Sequence, residues 1–218
     1  MTTTIDPTAV LGRAFGIYRE HAASLLPAAA AVFLINAIVL YVFDSGVLAI
    51  VASLVTMIIH TFYQGMVVRL VDDVRDGSLD SSVGDLFRGV APVAVPLLAV
   101  SLIVGILVGI GFVLLLVPGL FLLTIWAVTA PVVVLEGKGP IDALGRSREL
   151  VRGNGWSVLG LMVLLFVLMF GVSFVAGVIG AVGGDLLRAL LTFVVTVAIA
   201  PLSALAVSVL YFQLRDGR

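Results

Sequence analysis

Residues 91–115 read APVAVPLLAVSLIVGILVGIGFVLL, twenty-five positions without a single charge and with Ser101 as the one hydroxyl. A helix needs about 20 apolar residues to cross a hydrocarbon core of about 30 Å, so this stretch is long enough to span a membrane. Five further apolar runs lie on either side of it, at 23–43, 46–69, 119–136, 156–182 and 187–211. The run at 119–136 is the shortest, and must cross steeply or borrow residues from its turn. Composition agrees. Charged residues make up 11% of the chain, against about 25% in soluble domains, and the mean hydropathy is +1.27. The expected fold class is therefore an all-α, polytopic membrane protein with six transmembrane helices, in one membrane domain over residues 1–218.

The links between runs set the threading. Eleven of the twelve basic residues lie in the two termini, in 69–90 and in 136–155. Only Arg188 falls near the alternate links, Phe43–Gly46, Val117–Gly119 and Gly183–Asp185. Basic residues on every second link are what the positive-inside rule produces. Both termini are therefore expected in the cytoplasm, with the chain in a bacterial-type plasma membrane. The first run follows about twenty residues of helical amphipathicity rather than a short basic leader, and reads as a retained span. A net charge of −1 gives no basic surface for nucleic acid, and the absence of cysteine removes disulfides and thiolate chemistry.

An internal repeat organises the runs. Pro7, Leu11, Gly12, Arg13, Arg19, Ser24 and Leu26 match Pro140, Leu144, Gly145, Arg146, Arg152, Ser157 and Leu159 without a gap. A weaker third copy is Ser82–Arg88, and Gly65, Pro131 and Pro201 occupy similar places in spans two, four and six. The units fall at about 6–69, 80–136 and 139–212, each a short amphipathic helix followed by a two-span hairpin. The apolar stripes are Leu11, Ala14, Phe15 and Tyr18 in the first; Val83, Leu86, Phe87 and Val90 in the second; and Ile141, Leu144 and Val151 in the third. Ser82 with Asp85 fits a capping box. Such helices are expected either in the membrane interface or with their apolar faces packed on the cytoplasmic ends of the bundle.

Residues 126–156 carry the most distinctive pattern: Trp126, Pro131, Glu136-Gly137, Gly139, Ala143-Leu144, Ser147, Leu150-Val151, Gly153 and Trp156. This resembles the membrane domain of some bacterial glycerophosphodiester phosphodiesterases and its stand-alone relatives of uncharacterised function. The closing Tyr211-Phe212-Gln213-Leu214-Arg215 is similar as well. Arg148 stands where those relatives commonly place an aromatic. The His-Arg-Gly start and acidic metal ligands of the soluble phosphodiesterase domain have no counterpart here, so the resemblance implies a membrane fold and not the activity. Within it Pro131, Glu136, Gly137, Ser147, Leu150 and Gly153 form the family-like motif.

Few residues suggest chemistry. Asn36, His60 and Gln64 are polar positions inside spans one and two, with His60 and Gln64 on one helix face. They read either as a small site for a head group or a proton, or as hydrogen-bonding glue across the first hairpin. Glu136 closes span four with Lys138 and Arg148 near enough to satisfy it. Asp185 reads as a helix cap three residues before Arg188. Pro131 and Pro201 are expected to free carbonyls and bend their helices. Gly105 and Gly109, and two small-residue stripes in span five (Ser173, Gly177, Ala181 and Ala176, Gly180, Gly184), allow close helix approach.

His21 and His60 lack the carboxylate company of a metal site. Asp72, Asp73, Asp76 and Asp80 lack the Gly and Glu of an EF-hand loop. Ser173 lacks a nucleophile elbow. No cofactor, metal or catalytic group is expected. The expected function is non-enzymatic, organising or sensing membrane lipid or a protein partner. The alternative is a small transporter whose path runs past Asn36, His60 and Gln64.

Overall fold

The computed structural model describes residues 5–43, 45–75 and 82–217, apart from the side chain of Asp185. The chain begins with α1 (Pro7–Glu20), started by an extended Asp6 whose carboxylate accepts from Thr8 N at 2.9 Å and Thr8 Oγ1 at 2.8 Å. It continues through α2 (Ala22–Val42), α3 (Gly46–Arg75) and α4 (Val83–Val90). A single 3-10 turn at Ala91–Val93 joins α4 to α5 (Ala94–Leu114). Then come α6 (Leu116–Ile125), α7 (Thr129–Glu136) and α8 (Pro140–Val151). The run Gly155–Asp216 is broken by Gly184 at φ 83°, ψ 174°, which divides it into α9 (Gly155–Gly184) and α10 (Leu186–Asp216).

Among the described residues, six helical stretches are long and apolar enough to cross a membrane: Ala22–Val42, Gly46–Arg75, Val83–Leu114, Leu116–Glu136, Gly155–Gly184 and Leu186–Asp216. The protein is an all-α, multi-pass membrane protein. The fourth span gains its length from the link expected at Val117–Gly119. The chain turns instead at Leu115, whose backbone is extended at φ −164°, ψ 153°. Val117–Gly119 is helical, and the 21 residues of Leu116–Glu136 rise about 30 Å, one hydrocarbon thickness.

Two hairpins close through glycine. A Cβ on Gly111 would lie 2.9 Å from Gly119 Cα, and one on Gly180 would lie 2.8 Å from Arg188 Cα. Of the two stripes in span five, Ala176, Gly180 and Gly184 therefore serve the hairpin. Ser173, Gly177 and Ala181 face outward. Gly105 and Gly109 have nothing within 4 Å of a built Cβ, so the close contact of the second hairpin is made by Gly111 and Gly119 instead.

The short helices gather at one end, here called the charged end, with the C-termini of α3, α7 and α10. There α1 rests on α10 and the start of α9, α4 on α3, and α8 on α7. Each short helix thus covers the returning span of one hairpin while feeding the first span of another. Ser82 Oγ accepts from Asp85 N at 3.2 Å and donates to its carboxylate at 2.5 Å, which starts α4 at the expected cap. Gly65 in α3 makes room for Val90 and Leu97.

The buried faces are Val10 and Ala14 in α1, Leu86 and Val90 in α4, and Ala143, Ser147, Leu150 and Val151 in α8. The stripes are corrected accordingly: Phe15 and Ile141 point outward. The core is also densest at this end, with Val67, Val68, Leu70, Val132, Val133, Leu205, Leu210 and Tyr211 all buried. In the far half of the bundle Ile50, Leu114, Phe170 and Leu190 are exposed.

Candidate functional site

The family-like motif is a docking joint. Helix α6 ends at Ile125 and α7 begins at Thr129 because Pro131 has no N–H to return to the preceding turn. Thr129 N bonds to Trp126 O at 3.2 Å, and Thr129 Oγ1 donates to the same oxygen at 2.8 Å. Ile125 O thereby loses its i+4 partner. Ser147 Oγ, reaching across from α8, donates to it at 3.0 Å, and Ser147 is 0% exposed. Gly137 adopts φ 64° at the end of α7, returning its N–H to Val133 O. Gly153 adopts φ 94° where the chain leaves α8, and Leu150 is buried under that turn. By contrast Pro201 lies inside α10 without interrupting it.

Glu136 is the polar centre of the joint. Its carboxylate accepts from Arg146 Nε at 3.2 and 3.3 Å and from the Tyr211 hydroxyl at 3.0 Å, with Lys138 Nζ at 3.5 Å. The expected partner Arg148 is replaced by Arg146. Two residues apart on a helix means nearly opposite faces, and Arg148 is exposed. Burial opposes the Arg146 charge, yet its bonds to Glu136 and Glu149 hold its pKa above the ordinary value. One carboxylate thus ties α7, α8 and α10 together.

The intramembrane polar residues are divided by the structure. Asn36 Oδ1 accepts from Thr56 Oγ1 at 2.6 Å, across the first hairpin. His60 instead sets its ring edge-on to Phe33, with centroids 4.8 Å apart. His60 and Gln64 line a cavity of about 230 Å³ with Tyr63, Ser101 and Ser203. Gln64 and Ser101 also line a neighbouring cavity of about 310 Å³, which includes Trp126 and Thr129. Asn36 belongs to a third, of about 390 Å³, with Arg188, Thr192 and Thr196.

Among the described residues Gln64 makes no side-chain hydrogen bond and the buried Tyr63 hydroxyl has no hydrogen-bond partner. These groups can hydrogen-bond a small uncharged molecule or water. Among the described residues no group of three or more His, Asp or Glu could hold a metal ion.

Thr56 and Ser203 were not singled out by sequence, and Ser101 and Arg188 were noted there but not as site residues. Single hydroxyls in apolar runs give no signal until neighbouring spans are placed. Of the acidic cluster, Asp72 and Asp73 end α3, whereas Asp76 and Asp80 lie outside the described residues, as does the expected Asp185 cap. No protein-family model, no curated protein and no solved structure matches the chain.

Proposed function

We propose that this membrane protein is non-catalytic and organises or senses lipid through the charged end of its bundle. The observation that carries this reading is the outward placement of large apolar side chains beside arginines at that end. Phe15 is 49% exposed between Arg13 and Arg19. Ile141 is 71% and Trp156 87% exposed, with Arg148 and Arg152 exposed between them. Trp and Arg in such company suit the head-group level, where each arginine attracts anionic lipid by about 1 kcal/mol. The short helices thus pack one face on the bundle and offer another to the interface.

The resemblance of residues 126–156 to a membrane domain found beside phosphodiester chemistry supports the lipid part. The positive-inside pattern supports a cytoplasmic position for this end in a bacterial-type plasma membrane. Native mass spectrometry of protein released from mixed-lipid nanodiscs tests the reading. Wild type is expected to carry lipid enriched over the bulk, and the Phe15→Ser/Trp156→Ser variant to lose that enrichment while staying folded. Lipid at bulk composition in both forms refutes it.

A second reading is favoured by the two adjoining cavities that share Gln64 and Ser101. Under it, a small uncharged solute passes His60 and Gln64, and the His60→Leu/Gln64→Leu variant loses uptake with its fold intact. Unchanged uptake in that variant removes it.

A further inference from the structure

We infer that the cavity between α1, α3 and α10 at the charged end binds a phosphate group, carried by an anionic phospholipid head group. This deepens the lipid reading above and rests on it. The cavity has a volume of about 340 Å³ and is walled by Arg13 and Ile17 from α1, Val71 and Arg75 from α3, and Val209, Phe212, Gln213 and Asp216 from α10. That volume is at the small end of ligand pockets, which run from about 300 Å³ upward.

Helical spacing gives each wall its character. Val71 and Arg75 are one turn apart, so α3 changes from apolar to basic as it leaves the bundle. Val209, Phe212 and Asp216 change from apolar to acidic along α10. The cavity therefore combines an apolar lining of Ile17, Val71 and Val209 with polar groups from all three helices.

The charges within it are unequally satisfied. Arg75 Nη2 lies 2.6 Å from Asp216 Oδ2, and its guanidinium stacks 4.0 Å from the centre of the Phe212 ring. Arg215 Nε reaches the other Asp216 oxygen at 3.0 Å. One carboxylate is thus compensated twice, and Arg75 is held in place before any ligand arrives. Arg13 has no hydrogen bond or ion pair among the described residues. Two guanidiniums and one carboxylate line the cavity, leaving a net charge of +1 (2 − 1).

A planar guanidinium matches phosphate oxygens two at a time, and Gln213 adds an amide donor. The apolar lining selects the source. A free phosphate ion has nothing to place against Ile17 and Val209, whereas the glycerol and first acyl carbons of a phospholipid do.

The test uses the full chain in nanodiscs of phosphatidylcholine alone, of phosphatidylcholine with phosphatidylglycerol, and of phosphatidylcholine with glycerol phosphate in solution. Retained ligand is counted by native mass spectrometry for wild type, Arg13→Gln and Arg19→Gln. Arg13 is exposed and makes no hydrogen bond or ion pair among the described residues, so its substitution is expected to leave the fold intact. Arg19 removes the same charge from α1 without lining the cavity.

Phosphatidylglycerol retained one-to-one is expected to fall about fivefold in Arg13→Gln, the ratio that corresponds to one arginine, and to stay within about twofold in Arg19→Gln, whose charge acts on the surrounding lipid and not on the one in the cavity. Equal retention in wild type and Arg13→Gln overturns the site while leaving general lipid enrichment standing. Equal loss in both variants also overturns it, in favour of diffuse surface charge. Retention of glycerol phosphate without phosphatidylglycerol overturns the lipid source. Wild type without enrichment in any arm removes the site and the lipid reading together.

Discussion

Replacing Ser147 by Ala tests the joint at its most specific bond. The variant removes the 3.0 Å donor to Ile125 O and leaves that carbonyl facing a fully buried position. A buried acceptor stripped of its partner costs about 1–3 kcal/mol in soluble proteins. Interhelical hydrogen bonds in membranes average only about 0.6 kcal/mol, because the unfolded chain in lipid finds other partners. Ser147 lies where α8 meets the bundle and its site is closed to solvent, so the expected cost lies between these, at about 1–2 kcal/mol.

The stronger test is coupling. Ile125 O is orphaned because Pro131 interrupts the α6–α7 backbone ladder. In a Pro131→Ala background the helix can close over the break and return Thr129 N to Ile125 O. Ser147→Ala should then cost less than about 0.5 kcal/mol, giving a coupling of roughly 1 kcal/mol in a double-mutant cycle. Unfolding in mixed micelles by increasing detergent mole fraction, followed by circular dichroism, reads all four proteins. The same cost for Ser147→Ala in both backgrounds would refute the assignment of the carbonyl to the proline break.

Three further outcomes follow from single contacts. Tyr211→Phe and Glu136→Gln should each destabilise the bundle by about 1 kcal/mol, and together by less than their sum, since they share one bond. The same micelle titration checks this. Gly180→Val places a side chain against the Arg188 backbone and should cost about 1–3 kcal/mol, while Gly177→Val, with nothing within 4 Å, should cost nothing measurable. Comparing the two midpoints separates hairpin packing from a general intolerance of bulk. The Asn36→Val/Thr56→Val cycle should return a coupling near 0.6 kcal/mol. A coupling near zero would show that the 2.6 Å bond does not hold the first hairpin.

Hydropathy made six spans legible because each run is long and nearly uncharged, and a period of twenty residues survives any local detail. The error lay at Val117-Pro118-Gly119, which has the composition of a turn. Proline is tolerated in the first turn of a helix, where its missing N–H costs nothing, and Pro118 sits there in α6. Gly119 is required by the Phe112 ring on the facing helix rather than by a bend. Both residues have a second use that looks identical in sequence.

The stripe of α8 holds at Leu144 and Val151 and differs at Ile141 for a related reason. Ranking by hydrophobicity favours Ile141, but close docking on α7 selects the small Ala143 and Ser147 and leaves Ile141 outside. The candidate triad is divided by rotation, with His60 and Gln64 on one cavity and Asn36 bonded across the first hairpin. His60 and Gln64 share a face as their spacing required, yet Asn36 meets Thr56, one turn earlier on α3. Spacing along one helix fixes what shares its face and says nothing of how the next helix is turned.

The uneven core also argues for where function resides. Inside the hydrocarbon, lipid tails are as apolar as leucine, so burying a span's surface there gains little. Near the interface water competes for the same surface, and each apolar side chain removed from it contributes about 1.5–3 kcal/mol. A bundle stabilised this way should pack tightly where water reaches and loosely where lipid does, as this one does. The charged end is then the rigid part of the molecule and the far half the yielding part. A site that recognises by fixed guanidinium geometry belongs on the rigid part, where Arg75 is already held by Asp216 and Phe212. The cavities around His60 and Gln64 lie between the two parts, walled by the buried Tyr63, Thr129 and Ala204, so a molecule held there would press on the α6–α7 break of the joint itself.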